Sequence, residues 1–106
     1  MFITLEGGEG AGKTTQIVHL AGWLAERGIP CTRTREPGGT LLGKAIRAVL
    51  LNPENAGMAP ATELLLYMAD RSEHIHQVIT PALTAGRTVL CDRFFDAPIV
   101  YQGFAR

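Results

Sequence analysis

Glu6-Gly7-Gly8-Glu9-Gly10-Ala11-Gly12-Lys13-Thr14-Thr15 fits the phosphate-binding pattern G-x-x-x-x-G-K-[ST] through Gly7, Gly12, Lys13 and Thr14. Before it lies an apolar run, Met1 to Leu5, that reads as a short strand. After it Ile17, Leu20, Ala21 and Leu24 recur with helical period. Strand, glycine loop and helix are the context in which the pattern carries chemistry. Glycines at 7, 8, 10 and 12 let consecutive backbone N–H groups turn towards one anion with no Cβ in the way. The helix N-terminus adds partial positive charge beneath the same spot. In that setting Lys13 reaches the β- and γ-phosphates of a nucleoside triphosphate, and the Thr14 hydroxyl ligates Mg2+. The chain has only two lysines, and one occupies this slot.

At 106 residues the chain makes one domain at most, small for a nucleotide-binding α/β unit. Ten basic and ten acidic residues cancel, so bulk charge implies no nucleic-acid partner. No apolar run approaches the roughly 18 residues of a membrane span, and Met1-Phe2-Ile3 lacks the basic flank of a signal peptide. Cys31 and Cys91 fall in apolar, strand-like runs without metal-type spacing. They read as two buried thiols of a reducing, cytoplasmic protein.

Taken in order, the chain alternates strand and helix. The helix after the loop is expected to reach about Arg27 and stop at Gly28. Ile29 to Thr34 reads as a second strand, with Pro30 at its first residues. Arg35-Glu36-Pro37-Gly38-Gly39 reads as a turn. Thr40 caps a helix whose apolar positions are Leu41, Leu42, Ala45, Ile46, Val49 and Leu50. Residues 52–60 read as loop. A long helix starts at Thr62, is kinked or shortened by Pro81, and ends at Gly86. Thr88 to Cys91 is a third strand, apolar on both faces as a central parallel strand should be. This order gives a parallel sheet flanked by helices, an α/β fold of the P-loop NTPase type.

At the end of the third strand stands Cys91-Asp92-Arg93-Phe94. An acid at the carboxyl edge of a parallel strand faces the crevice where ligands bind in such sheets. Beside a phosphate-binding loop, Asp92 reads as a holder of Mg2+ or of its water shell. By itself it reads equally well as a helix N-cap. Arg93 favours the first reading, because a planar guanidinium beside such an acid suits a second phosphate.

The loop, together with Thr34-Arg35-Glu36-Pro37-Gly38-Gly39-Thr40, Asp92-Arg93-Phe94 and Tyr101-Gln102-Gly103, resembles bacterial thymidylate kinase from Met1 to Arg106. The resemblance implies transfer of the ATP γ-phosphoryl group to dTMP, giving dTDP, with Mg2+ held at Thr14 and Asp92. It implies ATP binding by Gly7, Gly8, Glu9, Gly10, Ala11, Gly12, Lys13, Thr14 and Thr15. Lys13, Arg93, Glu9 and Asp92 would carry the catalytic roles. Glu9 resembles the bacterial subclass, which takes its catalytic arginine from a later lid. Glu36 and Pro37 would line the deoxyribose side of the acceptor site. Arg47 and Arg93 would approach the dTMP phosphate, and Tyr101 and Gln102 would close the pocket. Tyr67 matches the position on which thymine stacks, and Arg71 the one that hydrogen-bonds the base. Residues at i and i+4 share a helix face, so this ring and this guanidinium can bracket a pyrimidine. A core tyrosine with a solvated arginine satisfies the same spacing. Pro98 departs from the family, which has a polar side chain there. His19, His74 and His76 match no family role.

Little base catalysis is expected, because a phosphate oxygen is already an anionic acceptor near neutral pH. Charge neutralisation and alignment of two phosphates would carry the reaction. The family is about twice this length. The lid, two more strands of an expected five, and the adenine-holding segment are therefore expected to be absent from these residues. The domain is accordingly read as a single partial kinase domain over 1–106. The alternative is a truncated nucleotide-binding fragment without turnover of its own. The sheet order expected for the type is 2-3-1-4-5. Substrates are small molecules, with no nucleic acid and no membrane, and a homodimer is expected from the family.

Overall fold

The computed structural model describes residues 1–7 and 11–94, with side chains described for 1–6 and 15–93. Three strands, β1 (Phe2–Gly7), β2 (Cys31–Glu36) and β3 (Thr88–Phe94), form one parallel sheet in the order β1-β3-β2. The register sets Thr4 and Thr34 on either side of Cys91, and Glu6 and Glu36 on either side of Arg93. Central β3 is the most buried strand: Val89, Leu90 and Cys91 are all within 1 % of complete burial. Both of its faces are covered, which explains why its sequence is apolar without alternation. Of the two thiols expected to be buried, Cys91 meets the expectation and the half-buried Cys31 does not.

All three strands run further than their apolar segments. β2 begins at Cys31 rather than Ile29 and continues through Arg35 and Glu36, which the sequence assigned to a turn. Pairing with β3 sets this end, since Arg35 faces Asp92 and Glu36 faces Arg93 across the ladder. β3 likewise extends through Asp92 to Phe94, so Asp92 is a strand residue and not a helix N-cap.

Helix α1 (Ala11–Glu26) buries Ile17 and Leu24. Gly28 follows with φ +69°, and the Ile29 N–H donates to Leu24 O, closing the helix end as its position foretold. Helix α2 (Leu41–Leu51) starts where Thr40 Oγ1 accepts from the Gly43 N–H at 2.8 Å. Of its expected apolar positions only Ile46 is buried; Leu41 is 86 % exposed. The inward face is narrow because Gly43 lets the neighbouring helix approach: a Cβ there would strike Asp70 Oδ1.

The long second-half helix is three pieces. α3 (Pro60–His74) starts two residues earlier than Thr62, with Pro60 in the first turn, where a missing N–H does no harm. A π-helical turn, Ile75–Ile79, follows, and α4 (Thr80–Thr84) completes the run. Pro81 is the physical reason. Its ring cannot donate and crowds the carbonyl four residues back. The wider turn relieves this, with the Thr80 N–H donating to Ile75 O. Gly86, at φ +80°, ends α4, and Ile79, Ala82 and Val89 pack together beneath it.

Candidate functional site

Strand alternation sends Thr34 and Glu36 of β2, and Cys91 and Arg93 of β3, to one face of the sheet at its carboxyl edge. Helix α3 covers that face with Tyr67, Asp70, Arg71 and His74, spaced i, i+3, i+4 and i+7. The two sets meet on Glu36, which is 2 % exposed. Arg71 Nε donates to its Oε1 at 3.1 Å, and Arg93 Nε donates to its Oε2 at 3.0 Å. Arg93 Nη1 also reaches Glu6 Oε1 of β1 at 3.2 Å. One carboxylate therefore fixes two guanidiniums that come from different elements.

The electrostatics follow from these partners. Burial would raise the Glu36 pKa, but the His74 ring and the two arginines outweigh it and bring it down from 4.5 to about 2. The Cys91 thiol, with Sγ 3.7 Å from Glu36 Oε2, is pushed up to about 12 by burial and by the Glu36 charge. Glu36, His74 and Cys91 offer donor atoms that all lie within 4.8 Å of one another. A cation there would have to face both guanidiniums and displace a tightly held thiol proton. The cluster is therefore built for anions and polar ligands around its arginines.

The turn after β2 is held from below. Asp70, 1 % exposed, accepts the Gly38 N–H at 3.0 Å. Burial raises its pKa, and the Gly38 bond acts against that rise. Gly38 has φ +104°, the left-handed region that favours glycine, and the Glu36–Pro37 peptide is cis. Arg47 of α2 crosses the same turn, its Nη1 donating to Pro37 O at 3.2 Å. His74 is fully buried; its Nε2 lies 2.6 Å from Thr34 Oγ1 and its Nδ1 3.7 Å from Glu36 Oε2.

The structure thus brings Glu36, Pro37, Arg47, Arg71 and Arg93 together around one turn. Tyr67 shares the α3 face but keeps only 8 % exposure. Asp92 departs from the group. Alternation places it on the face opposite Arg93, with its Oδ1 enclosed. A buried carboxylate oxygen at the carboxyl edge of the central strand is a hard donor of the kind that suits Mg2+. Glu9, Pro98, Tyr101 and Gln102 lie outside the described residues, as do Gly8 and Gly10. The side chains of Lys13 and Thr14 are likewise outside, although both residues sit in the first turn of α1.

Two members of the site went unread in the sequence, Asp70 and His74. Their signal was present in the spacing to Tyr67 and Arg71. His74 matched no family role, and only its spacing to Arg71 and Tyr67 marks it.

An open parallel sheet with polar groups gathered at its carboxyl edge defines an α/β protein of the class that binds ligands at that edge. Within that class the chain belongs to the thymidylate kinase family, whose family model matches residues 5–106. Over all 106 residues it is 59 % identical to a thymidylate kinase of Desulfosudis oleivorans and 57 % identical to one of a Synechococcus strain. It covers 50 % of the first and 51 % of the second, so the chain spans about half the length of these relatives. A crystal structure of thymidylate kinase from Ehrlichia chaffeensis superposes with a TM-score of 0.79 at 46 % identity. That match covers 98 % of this chain and 58 % of the other.

Proposed function

We propose that these residues carry the acceptor site and the phosphate-binding loop of a thymidylate kinase, which moves the γ-phosphoryl group of ATP to dTMP. The observation that carries the reading is the Glu36 bridge between Arg71 and Arg93. It holds two fixed cationic forks at one strand edge, where a nucleoside monophosphate needs donors at both its base and its phosphate. Family membership supplies the substrate class.

In this reading Arg93 neutralises the acceptor phosphate, and Arg71, with its side chain 39 % exposed, turns a donor towards the base. Tyr67 supplies the flat surface and Arg47 steadies the Pro37 turn. Lys13 serves the triphosphate, and Thr14 and Asp92 would hold Mg2+. When bound, that ion supplies charge neutralisation on the phosphates. The chain's own contribution is to align two anions that repel one another and to match their charge. We extend the reading to a cytoplasmic enzyme of small-molecule substrates that pairs as a homodimer.

Calorimetric titration with Mg·ATP and with dTMP, on the wild-type chain and two variants, tests the assignment. Lys13→Ala should weaken Mg·ATP binding by roughly 1.5–3 kcal/mol and leave dTMP alone. Arg71→Ala should do the reverse and erase the preference for dTMP over dCMP, whose N4 amino group opposes an arginine donor. Equal affinities in wild type and both variants would sink the reading.

A further inference from the structure

We propose that His74 is a positioning residue for the monophosphate site, its Nδ1–H directed at Glu36 and its Nε2 anchored on the Thr34 hydroxyl. The inference rests on the function proposed above and adds the group that keeps Glu36 in place while its arginines engage a ligand. The ring is completely enclosed, and its Nδ1 has no hydrogen-bond partner among the described residues. Its setting fixes the tautomer. Glu36 is held by two guanidiniums, a setting for a carboxylate that presents only acceptors, so a bare Nδ1 lone pair facing it at 3.7 Å would be repulsive. The proton belongs on Nδ1. Nε2 then accepts from Thr34 Oγ1, 2.6 Å away, a short bond from a hydroxyl donor to a ring nitrogen.

The ring is also wedged into position. An added Cβ on Gly39 would come within 2.7 Å of His74 Cδ2, so the backbone of the turn rests on the imidazole edge. Glu36 binds its two arginines through different oxygens, one each. When a base draws Arg71 outward, Glu36 loses a partner. The Nδ1–H, 3.7 Å from Oε2, stands within a small side-chain shift of a bond to the oxygen that Arg93 holds, and so secures the carboxylate from that side. The carboxylate then keeps its place and its charge, and Arg93 keeps its anchor. Support from behind a ligand-contacting group holds that group in the geometry the ligand needs.

The test uses His74→Phe, which keeps a ring but removes both nitrogens, Thr34→Val, which removes only the hydroxyl, and His74→Asn, whose amide nitrogen falls near Nδ1. The expected result is dTMP binding about tenfold weaker in the first two variants, with Mg·ATP binding unchanged. The double variant should be no weaker than His74→Phe, because the two residues act as one unit. His74→Asn, which restores the donor near Nδ1 but not the Thr34 anchor, should recover part of the loss. Unchanged dTMP affinity in Thr34→Val and His74→Phe overturns the proposal. So does equal weakening of both nucleotides, the mark of a purely structural residue. Nitrogen NMR of the ligand-free chain gives an arm independent of substrate. A proton on Nδ1 of His74 supports the assignment, and one on Nε2 overturns it even if dTMP binds as expected. Failure of the wild-type chain to bind dTMP would instead refute the functional reading.

Discussion

Glu36 is the residue on which charge, burial and backbone geometry converge, and its titration makes the site measurable from outside. Its folded pKa lies below its unfolded value, so the unfolded chain takes up the proton first as pH falls. Its stabilising contribution is therefore complete above about 4.5 and is lost as the pH falls towards about 2. The size is ~3 kcal/mol at 1.36 kcal/mol per unit, reduced by solvent around the half-exposed Arg71. Asp70 works in the opposite sense. Its pKa is raised, so its contribution is present at low pH and declines as the pH rises through the folded value. Urea unfolding across the acid range should show wild type losing stability in that window. Glu36→Gln should start lower by ~2 kcal/mol at neutral pH and follow a flatter curve. Parallel curves for the two proteins would remove Glu36 from the centre of the site. Gly39 gives a steric counterpart. A Cβ there meets Arg35 O at 2.5 Å as well as the His74 ring, and neither the strand backbone nor a buried ring can yield cheaply. Gly39→Ala should cost roughly 1–3 kcal/mol in thermal unfolding. A neutral result would show that the turn has room to shift.

At the scale of elements, α3 does most to assemble the site, and α2 shows how such assembly depends on its ends. Thr40 is 6 % exposed, and its hydroxyl satisfies the Gly43 N–H at the point where Gly43 meets Asp70. Thr40→Ala leaves that donor buried and should cost about 1 kcal/mol by chemical denaturation. A midpoint unchanged from wild type would mean that the helix start is held by packing alone. The same elements show what the sequence could and could not disclose. β1 and β3 announced themselves as apolar runs, β2 by its place between a helix stop and a glycine turn, and Gly28 and Gly86 marked two helix ends by the φ values their positions require. Strand ends were hidden, because Arg35, Glu36, Asp92 and Arg93 look like turn residues until their ladder partners are known. The π-helical turn was hidden too, since a hydrophobic period of 3.6 is blind to one residue inserted ahead of a proline. Arg71, Arg93 and Glu36 could be named from motifs. Their meeting could not, because the bonds span 35 and 57 residues of chain. Asp70 and His74 owe their importance to that same long-range closure. Their spacing puts them on the helix face of Tyr67 and Arg71, but neither residue type tells whether that face is a buried bracket or a solvated one.

At the scale of the whole molecule, α2 and α3 keep apolar side chains on the outside of a protein whose net charge is zero. Leu41 is 86 % exposed, Leu65 61 % and Met68 55 %, and α2 and α3 pack on one another. Where such side chains join into one patch, they mark a surface that another chain covers. The homodimer proposed above gives it an occupant. A stable pair needs about 1,200–2,000 Å² of total buried surface, and in a two-fold contact each substitution is felt twice. Leu65→Glu is the discriminating change. In a monomer the side chain is already in water, so folding stability should stay within about 0.5 kcal/mol of wild type. In a dimer it would place an unpaired carboxylate in each half of the contact, at several kcal/mol in all. Sedimentation equilibrium over a range of concentrations should show wild type moving towards twice the chain mass, and Leu65→Glu remaining at the chain mass. Thermal unfolding of dilute samples should be the same for both. Wild type that stays monomeric throughout, or a Leu65→Glu variant that associates as strongly, would overturn pairing through this face.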